Sequence, residues 1–290
     1  MHHLITSYKK FLWFITIVLQ IGCVTSMSTQ NGPFALKQGQ HEVFGSAGWS
    51  GHSQVLTTSY VAGEDLWEQV QGQKQFEEED FRQLLDAGLA WALFFPGPNV
   101  EFAYRTGLPG FTLPKWDLGI RTDGQVMKYD LRLQFLESGV DWKQGGALIV
   151  SHGFHVGVVN QTLQYLTLTN FSRHDIDAQL SYGLKYKDYF EAYINPRMMA
   201  SYVDAEPIFP QELIDKIPES LKDYDPNQLF EDVWLTYYGM GLGVRAGYKY
   251  IFVFAEANMF WMNFRPIVLG EERDMSGLTF APRLGLMGRF

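Results

Sequence analysis

Between Gln125 and Phe135, the apolar side chains Met127, Tyr129, Leu131, Leu133 and Phe135 alternate with Lys128, Asp130, Arg132 and Gln134. A period of two marks a strand, because successive side chains leave opposite faces of a pleated backbone. The same alternation sets Val100, Phe102 and Tyr104 against Glu101, Ala103 and Arg105, and Trp116, Leu118 and Ile120 against Asp117, Gly119 and Arg121. It returns with Ile176, Ala178, Leu180, Tyr182 and Leu184 opposite Asp177, Gln179, Ser181 and Gly183, and again from Phe190 to Tyr202, where Glu191, Tyr193, Asn195 and Arg197 hold the other face. Carried along the chain, this reading predicts strands near 41–50, 86–95, 98–107, 114–123, 125–137, 143–152, 155–168, 173–185, 188–203, 233–247, 249–264 and 276–290. That is an all-β protein of about twelve strands, or ten if two of 86–95, 143–152 and 155–168 are not strands.

The polar faces are unusual in carrying ions of both signs on almost every strand: Glu101, Arg105, Asp117, Arg121, Lys128, Asp130, Arg132, Asp177, Glu191, Arg197, Arg245, Glu256 and Arg283, with Arg289 as a further member. A sandwich with one wet face seldom does this. A closed barrel whose apolar face looks at lipid turns every one of those charges into one lumen, where opposite signs pair. The connections agree with an up-and-down antiparallel barrel. Pro96-Gly97-Pro98-Asn99, Asp123-Gly124, His152-Gly153-Phe154, Tyr186-Lys187-Asp188 and Gly247-Tyr248-Lys249 read as short turns, and the alternate connections, Trp49 to Leu85 and Asp204 to Asp232 among them, are long. Within the last, PQELIDKIPES has a helical start and spacing.

The chain ends Ser276-Gly-Leu-Thr-Phe-Ala-Pro-Arg-Leu-Gly-Leu-Met-Gly-Arg-Phe290, placing Phe280, Leu284, Leu286 and Phe290 at alternate positions. This resembles the closing strand that the barrel-assembly machinery recognises in bacterial outer-membrane proteins. Residues 41–290 as a whole are similar to the broad group of outer-membrane β-barrel proteins, some of them barrel lipoproteins, with many short hairpins. The resemblance implies a transmembrane barrel with short periplasmic turns and long extracellular loops, in contact with outer-membrane lipid and lipopolysaccharide and inserted by the assembly machinery. It implies fold and location and no particular activity.

Composition narrows the partners. A net charge of -9 on 290 residues argues against nucleic acid, which needs a basic surface. The aromatic fraction of 16% with 28 glycines suits strands and tight turns. Trp49, Trp91, Trp116, Trp142, Tyr202, Trp234, Tyr237, Tyr248 and Trp261 fall near strand ends, where a membrane barrel carries its aromatic girdles.

Lys9 and Lys10 precede the apolar run Phe11 to Gly22, which has the length of a signal-peptide core and is short for a membrane-spanning helix. Residues 1–22 are therefore expected as a signal peptide, with 23–40 a periplasmic linker. Gly22-Cys23 resembles the lipobox of bacterial lipoproteins, with cleavage before Cys23 and acylation of its sulfur; Gln20 departs from the leucine usual in that motif, and cleavage after Ser26 is the alternative.

For catalysis, Ser151, His152, His155 and Asn160 are the residue types of barrel phospholipases, but Ser151 and His152 are adjacent and so leave opposite faces. No metal or cofactor site is expected: His41, His52, His152, His155 and His174 show no ligand spacing on one element beyond His152 and His155, and Glu77 to Asp80, Asp223 and Asp225 read as solvated loops, with Ca²⁺ binding or divalent bridging to lipopolysaccharide as the alternative. The functional expectation is a narrow channel or structural envelope component without catalysis, its lumen charges narrowing the bore and the loop 204–232 folding over the mouth. The alternatives are a lipid-modifying barrel enzyme and a lipid-anchored periplasmic β-sandwich binding module.

Overall fold

The computed structural model describes residues 28, 32–58, 60, 61, 83, 87, 97–109, 113–124, 126–155, 169–207, 233–268 and 271–290. Among them are β1 (His41–His52), β2 (Gly97–Gly107), β3 (Lys115–Thr122), β4 (Val126–Ser138), β5 (Trp142–His155), β6 (Thr169–Tyr186), β7 (Phe190–Pro207), β8 (Val233–Tyr248), β9 (Ile251–Asn263), β10 (Ile267–Val268), β11 (Glu271–Glu272) and β12 (Gly277–Arg289). Ten of them close an antiparallel barrel in the order β1-β12-β9-β8-β7-β6-β5-β4-β3-β2, while β10 and β11 form a separate two-stranded hairpin. Closure leaves no edge strand in the wall.

Ten strands, not twelve, is the count, and two expected strands explain the difference. β1 pairs directly with β2 from His41↔Thr106 to Ser50↔Gly97 and holds β12 on its other side, which leaves no place in the wall for 86–95. That segment lies outside the described residues apart from Ala87, which is helical. Likewise β5 runs through His152, Gly153 and Phe154 and pairs with β6 along Trp142↔Tyr186 to Phe154↔His174, so nothing stands between them. The expected strand 155–168 falls, beyond His155, outside the described residues.

Two glycine-bearing segments read as turns for a reason that the packing reverses. Gly153 is a strand position, and a Cβ there would lie 2.9 Å from Lys128 Cγ; the glycine makes room for a buried lysine stem. Pro98 sits opposite Trp49 above the last β2–β3 pair, Phe102↔Thr122, so the donor it lacks costs no bond to β3.

The chain ends set the orientation of the barrel. His41 N donates to Phe290 O at 2.8 Å and Phe290 N returns a bond to His41 O at 3.0 Å, so both ends of the barrel chain share one rim. At that rim the connections 139–141, 187–189 and 249–250 are two or three residues long, and 108–114 is the fourth. At the opposite rim lie 123–125 and the longer connections 53–96, 156–168, 208–232 and 264–276. Asp123-Gly124, expected with the other short turns, belongs to the long-loop rim instead, because removing a strand before it reverses its phase. The helix expected in PQELIDKIPES lies outside the described residues.

Candidate functional site: the charged lumen

Alternation along each strand sorts the side chains into two environments. Outside, Leu284 is 61% exposed, Leu286 60% and Ile176 58%, beside Phe280, Leu131, Phe102 and Ile251. Inside, Glu101, Asp117 and Arg132 are wholly buried, and Arg105, Arg121, Lys128, Asp130, Asp177, Glu191, Arg197, Arg245, Glu256 and Arg283 are buried with them. The structure thus brings these thirteen ions into one volume.

Within it, neighbouring strands pair first: Arg105 Nε stands 3.2 Å from Asp117 Oδ1, Arg121 Nη2 3.2 Å from Asp130 Oδ1, and Arg245 Nη1 3.6 Å from Glu191 Oε2. Arg197 Nε donates to both oxygens of Asp177, at 2.8 and 2.9 Å, and Nη2 completes the fork. Other pairs reach over an intervening strand. Lys128 Nζ lies 3.1 Å from Asp175 Oδ2, Arg283 Nη1 3.6 Å from Glu101 Oε2, and the Tyr193 hydroxyl donates to Glu256 Oε1 at 2.8 Å. Arg121 to Asp177, 3.6 Å, and Arg245 to Glu42, 4.0 Å, each pass over two. Contacts of the last kind are chords, possible only through the interior. Each buried ion is costly alone and tolerable only when paired and hydrogen-bonded.

The lumen is less uniformly polar than alternation implied. Phe44, Phe252, Phe254 and Met287 form a buried cluster near the short-turn rim, and Phe260 and Met262 are buried further along β9. Their flat faces receive guanidinium groups: Arg245 lies 5.5 Å from the Phe44 ring centre, Arg197 5.5 Å from Phe260 and Arg289 4.8 Å from Phe252. An arginine can stack and pair at the same time, which accounts for aromatic residues among the ions.

The chain before β1 also enters this space. Gly39 N bonds Gly107 O at the short-turn rim, and from there residues 37 to 32 cross the lumen close to that rim, from Asp117 on β3 to Glu191 at the start of β7. Leu36 N donates to Asp117 Oδ2 at 3.0 Å, Ala35 N to Gln134 Oε1 at 2.8 Å, and the Phe34 carbonyl accepts from Arg132. Phe34 and Leu36 are buried, and a Cβ on Gly145 would lie 2.7 Å from the Phe34 ring. Higher still, the Ser28 carbonyl accepts from Arg121 at 2.5 Å and from Arg197 at 3.2 Å. Residues 32–37 were expected within a linker below the barrel. They instead form a strap through it, held by backbone N–H groups that donate to Asp117 and Gln134 and by the Phe34 carbonyl that accepts from Arg132.

Sequence reasoning missed several members. Asp175 joins Arg173, Lys128 and Ser201, whose hydroxyl donates to it at 2.6 Å; extending the Asp177 alternation by one step finds it. Glu42 takes Arg289 Nη2 at 2.5 Å, but the weak alternation of β1 hides it. Of the lipase-like residues, Ser151 points inward and His152 outward, high on β5, with His152 stacked on His174 at 5.9 Å. Asn160 and the His155 side chain lie outside the described residues, as does Cys23. On β12 and the residue after it, Phe280, Leu284, Leu286 and Phe290 are all exposed.

No family model matches the sequence, and no curated protein matches it. Among solved structures, the chain is similar to Ail, the attachment invasion locus protein of Yersinia pestis, at 9% identity over 87% of this chain and 99% of that one, with a TM-score of 0.33. It is similar to Neisserial surface protein A at 10% identity, 87% and 98% coverage and a TM-score of 0.31. For the outer membrane protein OprG from Pseudomonas aeruginosa the values are 7% identity, 88% and 98% coverage and 0.29. The likeness is at the level of the fold alone.

Proposed function

We propose that this chain is an integral barrel of the outer membrane of a diderm bacterium, a non-catalytic envelope component whose lumen is packed shut or reduced to a narrow channel. The observation that carries the reading is the inversion of the wall. Carboxylates and guanidiniums are buried inside while Leu284, Leu286 and Ile176 are more than half exposed outside. In water each such side chain forfeits more than half of the roughly 1.5–3 kcal/mol that full burial gives, whereas in a bilayer that surface is the favourable one.

The apolar band has the height a membrane needs. On β9, Ile251, Val253, Met259 and Trp261 face out, and ten residue steps at ~3.4 Å and a tilt of ~40° span about 26 Å. Aromatic rings bound it at both rims: Tyr202 and Trp234 meet at 5.3 Å toward the long loops, and Tyr189 and Tyr248 stack at 5.9 Å at the short turns. The short-turn rim is then periplasmic.

On this reading Cys23 is the acylated first residue of the mature protein, Phe290 and its face are the assembly signal, and lipopolysaccharide surrounds the long-loop half. A mature N-terminus at Met27 without acyl mass would remove the lipoprotein part. Heat-modifiability tests the membrane barrel itself. Protein from the outer-membrane fraction should migrate differently when boiled and unboiled, and a soluble periplasmic species with one mobility would contradict it.

A further inference from the structure

Lysine is unevenly distributed over the described residues. Lys128 is buried in the lumen; the others, Lys37, Lys115, Lys143, Lys185, Lys187 and Lys249, all lie at the short-turn rim. The outer carboxylates described there are Glu137, Asp141, Asp188 and that of Phe290, so six cations meet four anions, a surplus of two positive charges on a chain whose net charge is -9. Deeper in the same rim, Arg245 and Arg289 are matched by Glu42 and Glu191.

Two turns display this surplus in the same way. Tyr186-Lys187-Asp188-Tyr189 joins β6 to β7, and Tyr248-Lys249-Tyr250 joins β8 to β9. Lys187 has φ +48° and Lys249 φ +55°, the two non-glycine residues with positive φ among those described. Glycine or asparagine takes that conformation more easily; both tips carry lysine. The Lys187 ammonium sits 5.5 Å from the Tyr186 ring centre and that of Lys249 5.1 Å from Tyr248. Tyr189 and Tyr248 stack with planes 6° apart, and Trp142 lies 4.9 Å from Tyr186, two ring pairs along the rim from β5 to β8. The one carboxylate beside Lys187, on Asp141, is 3.8 Å away with both side chains well exposed, a pair that solvent and salt loosen readily.

Rings with one apolar and one wet edge settle at headgroup depth. Lysines whose stems lie along those rings then hold their ammonium groups in the plane of the lipid phosphates. We propose that this tyrosine–lysine rim binds the phosphate of an anionic phospholipid in the leaflet at the short-turn side, selecting it over zwitterionic lipid. The proposal rests on the membrane reading above and adds a ligand class to it.

The test uses the full chain reconstituted in phosphatidylcholine vesicles with nitroxide-labelled phosphatidylglycerol or labelled phosphatidylcholine, reading the fraction of motionally restricted lipid. The wild type should favour the glycerol lipid several-fold, and 0.5 M salt should reduce the preference. Lys187→Asn with Lys249→Asn keeps the turn geometry while removing both charges, and should lower the preference by roughly fivefold per lysine at most; Lys187→Arg with Lys249→Arg should retain it. Equal preference in wild type and the asparagine variant, or none in the wild type, would overturn the proposal while leaving the barrel intact. Loss of gel heat-modifiability in these vesicles would instead count against the membrane reading, and the proposal would fall with it. Retention by isolated peptidoglycan that disappears in the asparagine variant, without lipid preference, would reassign the rim to a glycan and overturn the lipid claim.

Discussion

Arg121 on β3 stands 3.6 Å from Asp177 on β6, although β4 and β5 lie between their strands in the wall. A bore wide enough for bulk water would hold such a pair apart. Because Asp177 also receives the fork from Arg197 of β7, one carboxylate ties together ions from three strands.

Breaking that hub should be costly, and replacing it should not. Asp177→Ala and Arg197→Ala each leave a buried charge without its main partner, a loss of about 3–5 kcal/mol. The double change Asp177→Leu with Arg197→Met should be clearly less destabilised than the sum. Urea unfolding followed by gel mobility measures all three; strict additivity would mean that the fork contributes no coupling.

Gly145 is the place to disturb the strap without touching an ion. Its missing side chain accommodates Phe34, so Gly145→Leu should expel the ring and leave residues 32–37 open to protease while the barrel stays folded. Limited proteolysis with N-terminal sequencing reads this; unchanged protection would show that the strap tolerates the intrusion.

At the β6–β7 turn, Lys185 donates to Asp188 at 2.8 Å, and this bond holds the Asp188 carboxyl below its ordinary value of 3.8. For a depressed carboxylate the stabilisation is present above 3.8 and is lost as pH falls through the lower folded value. Asp188 is exposed, so the contribution to stability is small. Carbon-detected NMR should place its midpoint below 3.8, and Lys185→Gln should move it up; a midpoint unmoved by that change would deny the bond.

Phe290 closes the seam through its two backbone bonds with His41 while its ring lies outside. Deleting it should block membrane insertion and spare synthesis and export. Fractionation checks this, and normal amounts of heat-modifiable barrel would contradict it.

How much of this could be read in the sequence depended on how cleanly two faces differed. On β4 the polar face Lys128, Asp130, Arg132, Gln134 opposes Tyr129, Leu131 and Phe135, and the alternation alone identifies both strand and inward residues. On β1, glycines and serines weaken the contrast and Glu42 went unseen. Gly153 misled for a different reason: its meaning comes from Lys128 on the neighbouring strand, and a contact across the sheet leaves no local mark. The strap was hidden likewise, since Phe34 to Leu36 have no periodicity and owe their place to backbone groups that meet Asp117, Arg132 and Gln134.

Planar-bilayer recording on the purified full chain tests the central claim most directly. A ten-strand lumen crossed by the Arg121–Asp177 and Arg245–Glu42 chords and occupied by residues 32–37 should show little or no steady conductance and weak ion selectivity. Large, steady, strongly ion-selective currents would show that the same charges line an open pore, and would contradict the account.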